Sequence, residues 1–157
     1  RDGLWAAVAE GEVDVVASDH APWDLADKTH AAIFDNHSGA PGVETLVPVV
    51  LSEGLARGVP IQTLAKALSE VPAKRFRLPG KGALSPGFDA DLVIFDRGVR
   101  TTVDESALHS NAGWSPYHGR RLDGQVTVVI SRGELIWERA LKARAGRGHL
   151  VVPGGAR

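Results

Sequence analysis

Residues 13–23 read VDVVASDHAPW, and this stretch decides the fold. VDVVAS (13–18) is a continuous apolar run with one acid. Its β-branched residues predict a strand covered on both faces, as in a parallel sheet. The run stops at Asp19, His20 and Pro22 without an ordinary turn signal. In parallel α/β sheets and barrels, functional groups gather where strands end at their carboxyl side. An acid there can bind a divalent metal, take a proton from water, or do both. It can equally cap the segment that follows.

Outward from this run, DGLWAAVAEG (2–11) predicts a short helix, with Asp2 as cap and Gly11 as stop. Residues 19–42 are rich in Gly, Pro, Asn and Asp and lack periodicity, so they predict a long loop, which in a compact domain is often functional. VETLVPVVLSEGLARG (43–58) places Val43, Leu46, Val47, Val50, Leu51 and Leu55 on one helical stripe, with Pro48 in the tolerant first turns. VPIQTLAKALSEVPAKRFRL (59–78) predicts a second helix after Pro60 and a further helical turn from Pro72. This α/β alternation is that of a parallel sheet or barrel. From residue 79 the texture changes. ADLVIFD (90–96) and VRTTVD (99–104) predict strands, and QVTVVISRGELIWE (125–138) predicts a hairpin about Arg132-Gly133.

With 157 residues, 43% of them hydrophobic, the chain can bury a core as one domain or as pieces of two. A net charge of −1 gives no general attraction to nucleic acid or to membrane. No apolar run approaches the roughly 18–20 residues that span a bilayer. The absence of Cys excludes disulfides, thiolate metal sites and cysteine nucleophiles, and fits a reducing, cytoplasmic setting. The tail from Arg139 carries bases but no acids, and is expected to be solvated or frayed. It has no interleaved aromatics for base stacking.

In order along the chain, four segments carry a resemblance: VDVVASDHAPW; SGAPGVETLVPVVLSEGLARG (38–58); KGALSPGFDADLVIFD (81–96); and WSPYHGRRLDGQVTVVISRGELIWE (114–138). Together they resemble the cyclic amidohydrolases, the dihydroorotase, allantoinase and dihydropyrimidinase (hydantoinase) branch of the amidohydrolase superfamily. The resemblance implies an α/β fold: residues 1–78 as the last part of a metal-dependent (β/α)8 barrel, and residues 79–157 as strands and tail of a small, composite β-sandwich. It implies hydrolysis of a ring amide C–N bond in a small cyclic amide or ureide. Asp19 would be the acid after the eighth strand, a ligand to a zinc centre (binuclear in the whole enzyme) and the group that shuttles a proton from water to the departing nitrogen. A bound metal lowers the pKa of water from about 15.7 to about 7, which a ring amide needs near neutral pH. Ala40, Pro41 and Gly42 match a loop that holds substrate through backbone groups, or else form a plain helix entrance. His20 follows the acid in many relatives and is expected to be hydrogen-bonded at the loop start rather than a ligand.

One position departs from the dihydroorotase pattern. Trp23 stands where dihydroorotases generally carry a His that helps bind the substrate carboxylate. A Trp cannot pair with a carboxylate, which favours a more neutral ring such as hydantoin or allantoin. His30 and His37 lie on the same loop, either to compensate or as ordinary loop residues. Trp114 and Tyr117 either line a pocket or pack at the barrel–sandwich junction, with Arg120 and Arg121 at the surface or in junction ion pairs. Trp5 and Trp137 are expected in the core.

The family's His-x-His pair, carboxylated Lys and later His ligands have no counterpart here. The histidines, at 20, 30, 37, 109, 118 and 149, include no such pair. A complete barrel takes about 250 residues. The chain also lacks Met, even at position 1. It is therefore expected to be the carboxyl-terminal part of such an enzyme, inactive alone and without a full metal site. Its partners would be the missing N-terminal barrel portion and further copies in a homo-oligomer. The alternative is a noncatalytic amidohydrolase-like scaffold or assembly subunit. The hydrolase assignment requires Asp19 at a strand terminus, outside any ordinary ion pair and not turned to bulk water.

Overall fold

The structure, a computed structural model, describes residues 2–154. Helix α1 (Asp2–Glu10) ends at Gly11, whose φ of 78° is the left-handed conformation that stops a helix. Asp2 is the first residue of α1 rather than its cap, and its carboxylate accepts from Arg57 at 3.1 Å. Helix α2 (Leu46–Ala56) starts three residues later than its apolar stripe, because Val43–Thr45 form a turn. Helices α3 (Ile61–Ala65) and α4 (Val71–Arg75) are joined by a π turn, Lys66–Glu70. Pro72 accounts for the widening. Its ring pushes on the preceding turn, and it offers no N–H to the carbonyl five residues back, that of Ala67.

That carbonyl is used elsewhere: Ala67 O accepts from Val16 N at 3.0 Å. This bond ties the segment 13–18 to the helices. The expected strand is not one. Residues 13–18 are extended-chain coil without a ladder, and Val13, Val15 and Val16 are only half-buried. A parallel strand needs neighbours on both sides, and no described segment pairs with this one. The only sheet among the described residues is antiparallel, in the order β1-β2-β3.

Strand β1 (Leu92–Thr102) merges the two predicted strands, with an irregularity between Asp96 and Arg100. There Gly98 N donates to Asp96 Oδ1 at 2.8 Å. Strand β2 (Arg121–Ser131) and strand β3 (Glu134–Glu138) make the hairpin. Its turn is Arg132-Gly133, both at positive φ (49° and 78°), as a tight two-residue hairpin requires.

The core has two clusters. Val8, Val50, Leu51, Val59 and Leu64 form the first, with Trp5, Val13, Val16 and Phe95 packed against it. Val49, Val103 and Leu122 form the second, with Leu108 and Tyr117 alongside. Helix α2 feeds both clusters and touches β2, where Ser52 Oγ accepts from Asp123 N at 2.9 Å. Trp5 and Trp137 are half-buried rather than central: Trp5 lies under the Arg57 guanidinium and Trp137 meets His109 edge-on. As far as residue 154 the tail is not frayed. Arg147 bonds Glu134 and Ser131 O, Lys142 N bonds Ile136 O, and Gly154 N bonds Arg77 O.

Candidate active site

Asp19 ends the extended segment with φ at 44°, a left-handed conformation that Asp tolerates better than most residues. It is exposed, and among the described residues it makes no hydrogen bond or ion pair. Asp19 is thus turned to solvent at the end of a segment with no flanking strand among the described residues, and the geometry of this chain by itself does not support its hydrolase role. A barrel rim is walled by loops from neighbouring strands, and here a single extended segment stands without such neighbours. Among the described residues no group of three or more His, Cys, Asp or Glu could hold a metal ion. The residues present therefore do not make the implied zinc site, and Asp19 offers one carboxylate only.

The loop after Asp19 is ordered by specific bonds. His20 forms a parallel bridge with Ala40, and Ala21 N donates to Ala40 O at 3.0 Å. The Nδ1 of His20 accepts from Gly42 N at 3.0 Å and from Val43 N at 3.2 Å. Gly42 O accepts from Leu46 N at 2.9 Å and from Thr45 Oγ1 at 3.2 Å, which opens α2. Pro41 is buried, and Ala40 and Gly42 are half-buried. The three candidate substrate residues thus lie beside the end of the Asp19 segment. A Cβ on Gly42 would sit 3.2 Å from Ser18 O, so the close approach that glycine permits here is to the chain's own backbone.

Farther along the loop, Trp23 and His37 stack with ring centroids 4.2 Å apart. Trp23 Nε1 donates to Ser38 O, and Lys28 Nζ donates to both His37 O and Gly39 O. His30 contributes its backbone, which the Asn36 side chain bonds in both directions. His30 and Asp19 are not brought together by any described contact.

The β-rich half grips this loop at two points, one through Trp114, which the sequence singled out, and one through His109, which it did not. Trp114 Nε1 donates to Trp23 O at 2.8 Å. The carboxylate of Glu44 takes both His109 N (2.8 Å) and His109 Nδ1 (2.9 Å). Both partners lie more than 60 positions away, so no local signal announces them. Arg120 pairs with Glu53 on α2, and Tyr117 packs in the second core cluster. A surface groove of about 640 Å³ is lined by Leu68, Leu78, Leu84 and Val151 among others, and by none of residues 19–44.

Asp19 thus ends an extended segment, and the loop after it folds back against that segment and closes at Gly42. Residues 21–136 match the family model described as "Amidohydrolase family", and the chain belongs to that family. It is 41% identical to the dihydroorotase of Methanosarcina acetivorans, over 94% of this chain and 32% of that protein. It is 34% identical to a D-phenylhydantoinase of Escherichia coli, over 96% of this chain and 34% of that protein. Among solved structures, the D-hydantoinase (dihydropyrimidinase) of Thermus sp. superposes with a TM-score of 0.90 at 32% identity, over 96% of this chain and 34% of that one. The L-hydantoinase of Arthrobacter aurescens gives 0.83 at 33% identity, over 89% and 32%. The chain thus spans about a third of the length of the relatives it matches. No described helix is long and apolar enough to cross a membrane.

Proposed function

We propose that this chain contributes the proton-transferring carboxylate and a substrate-holding loop to a cyclic amidohydrolase. The observation that carries this is family membership over residues 21–136, combined with Asp19 at the end of the extended segment that precedes them. Residues 1–78 are assigned to the end of a (β/α)8 barrel, and residues 79–157 to a β-sandwich. The catalysed change is addition of water to a ring carbonyl: the O–C bond forms, the C–N bond breaks, and one proton moves from water to nitrogen. Asp19 takes that proton and returns it, while backbone groups of Ala40, Pro41 and Gly42 hold the ring. The described residues make no metal site, so no step is routed through zinc.

Trp23 favours a neutral ring over one bearing a carboxylate. Its face is stacked on His37, and its Nε1 is committed to Ser38 O. The test is ring opening of hydantoin, allantoin and dihydroorotate by the protein together with the barrel portion its relatives possess. Hydantoin or allantoin should turn over at least tenfold faster than dihydroorotate. Trp23→His should narrow that ratio. Faster turnover of dihydroorotate would remove Trp23 as the discriminator. The absence of partners for Asp19 also fits a noncatalytic assembly subunit, and failure to open any of the three rings would favour that second reading.

A further inference from the structure

We propose that His20 is a positioning residue, whose neutral ring pins the Ala40–Val43 segment against the end of the segment carrying Asp19. The proposal rests on the function above only where it treats Ala40–Gly42 as facing substrate. Two backbone N–H groups, of Gly42 at 3.0 Å and Val43 at 3.2 Å, converge on a single ring nitrogen, Nδ1. Two donors require a lone pair, so Nδ1 is unprotonated and the ring proton sits on Nε2. Those N–H groups belong to the turn that leads into α2, and the first donor of the helix itself, Leu46 N, bonds Gly42 O. His20 Nδ1 is the acceptor described for both Gly42 N and Val43 N, so the ring holds the turn ahead of α2 rather than capping the helix.

The clamp is reinforced from both sides. The His20–Ala40 bridge and the Ala21 N–Ala40 O bond fix one strand of the loop. A Cβ on Gly42 would lie 3.2 Å from Ser18 O, so a side chain there would press on that carbonyl. The charged neighbours do not compete for Nδ1: Asp19 makes no described bond, and Glu44 is occupied by His109. Ring Nε2–H has no hydrogen-bond partner among the described residues.

Acceptor position gives a discriminating test. His20→Asn places a carbonyl oxygen near the Nδ1 position, His20→Gln moves it one bond farther, and His20→Ala removes it. Amide hydrogen exchange at Gly42 and Val43 should quicken about tenfold in the Ala and Gln variants and stay near the parent rate in the Asn variant. The parent protein needs no variant for a second readout: its ¹⁵N spectrum should show His20 Nδ1 as an unprotonated, accepting nitrogen. In the active assembly, His20→Ala should raise KM more than it lowers kcat. Unchanged exchange at both amides in His20→Ala, or a protonated Nδ1 in the neutral ring, would overturn the proposal. Turnover that survives replacement of Asp19 would instead sink the proposed function and leave the exchange result standing.

Discussion

Lys81 is gripped by two carboxylates, those of Asp89 and Asp91. Lys81 Nζ lies 2.9 Å from Asp89 Oδ2 and also bonds Asp91, while Asp91 Oδ1 accepts Arg132 N at 2.8 Å. Burial pushes the Asp91 carboxyl up, but the Lys81 bond and the Arg132 N–H outweigh it and hold its pKa below the usual carboxylate range. The same bonds, that of Asp91 first, hold the Lys81 ammonium above its usual value. A carboxyl with a depressed folded pKa stabilises fully above its unfolded pKa, about 3.9, and loses that contribution as pH falls through the folded value. Asp91→Asn should therefore flatten the acid limb of urea-unfolding stability below about pH 4. A limb of unchanged slope would show that the pair does not couple to folding. At this scale the sequence was half legible. Asp19 stood out at the end of the apolar run, His20 and Gly42 came from the family resemblance, and a hydrogen-bonded His20 was expected. The grips of Trp114 on Trp23 and His109 on Glu44 join residues 91 and 65 positions apart, and only tertiary folding brings them together.

Among the elements, α2 and α3 meet where Gly54 faces Leu64, which is fully buried. A Cβ on Gly54 would lie 2.7 Å from both Leu64 methyl carbons. Gly→Ala normally stabilises a helix, but here the clash decides, and Gly54→Ala should destabilise by about 1–3 kcal/mol. Leu64→Ala should cost about 2–5 kcal/mol through the cavity it leaves. The double variant should cost clearly less than the sum, because the removed methyls make room for the added one. Simple additivity in thermal unfolding would contradict the contact. The hairpin was legible because Arg132-Gly133 is a turn chemistry with few alternatives. The start of β2 was not: Leu122, only 2% exposed, sits in RRLDG, which resembles a turn. Gly124 is in fact a strand residue, left bare because the Phe95 ring lies where its Cβ would be. The segment 13–18 was read as a strand that needs neighbours on both sides, and it is extended with no described segment paired to it. Alternation and branching report a backbone's preference, whereas pairing depends on neighbours that the segment does not specify.

For the molecule as a whole, the unpaired segment 13–18 and the fully exposed Phe34 leave apolar surface and backbone groups without partners. The chain should associate with itself, or with the barrel portion its relatives possess. Sedimentation should show a mass that rises with concentration above 16.6 kDa, and a constant 16.6 kDa across a hundredfold dilution would refute this. The two halves share a core through α2, Leu122 and Phe95, so the sheet cannot be removed without exposing the helices. What joins this architecture to chemistry is the free carboxylate at residue 19. The most direct measurement is steady-state ring opening by the complete assembly carrying Asp19→Asn, with folding confirmed by circular dichroism. Loss of turnover by at least about a hundredfold is the predicted result; a rate within a few-fold of the parent would contradict the account.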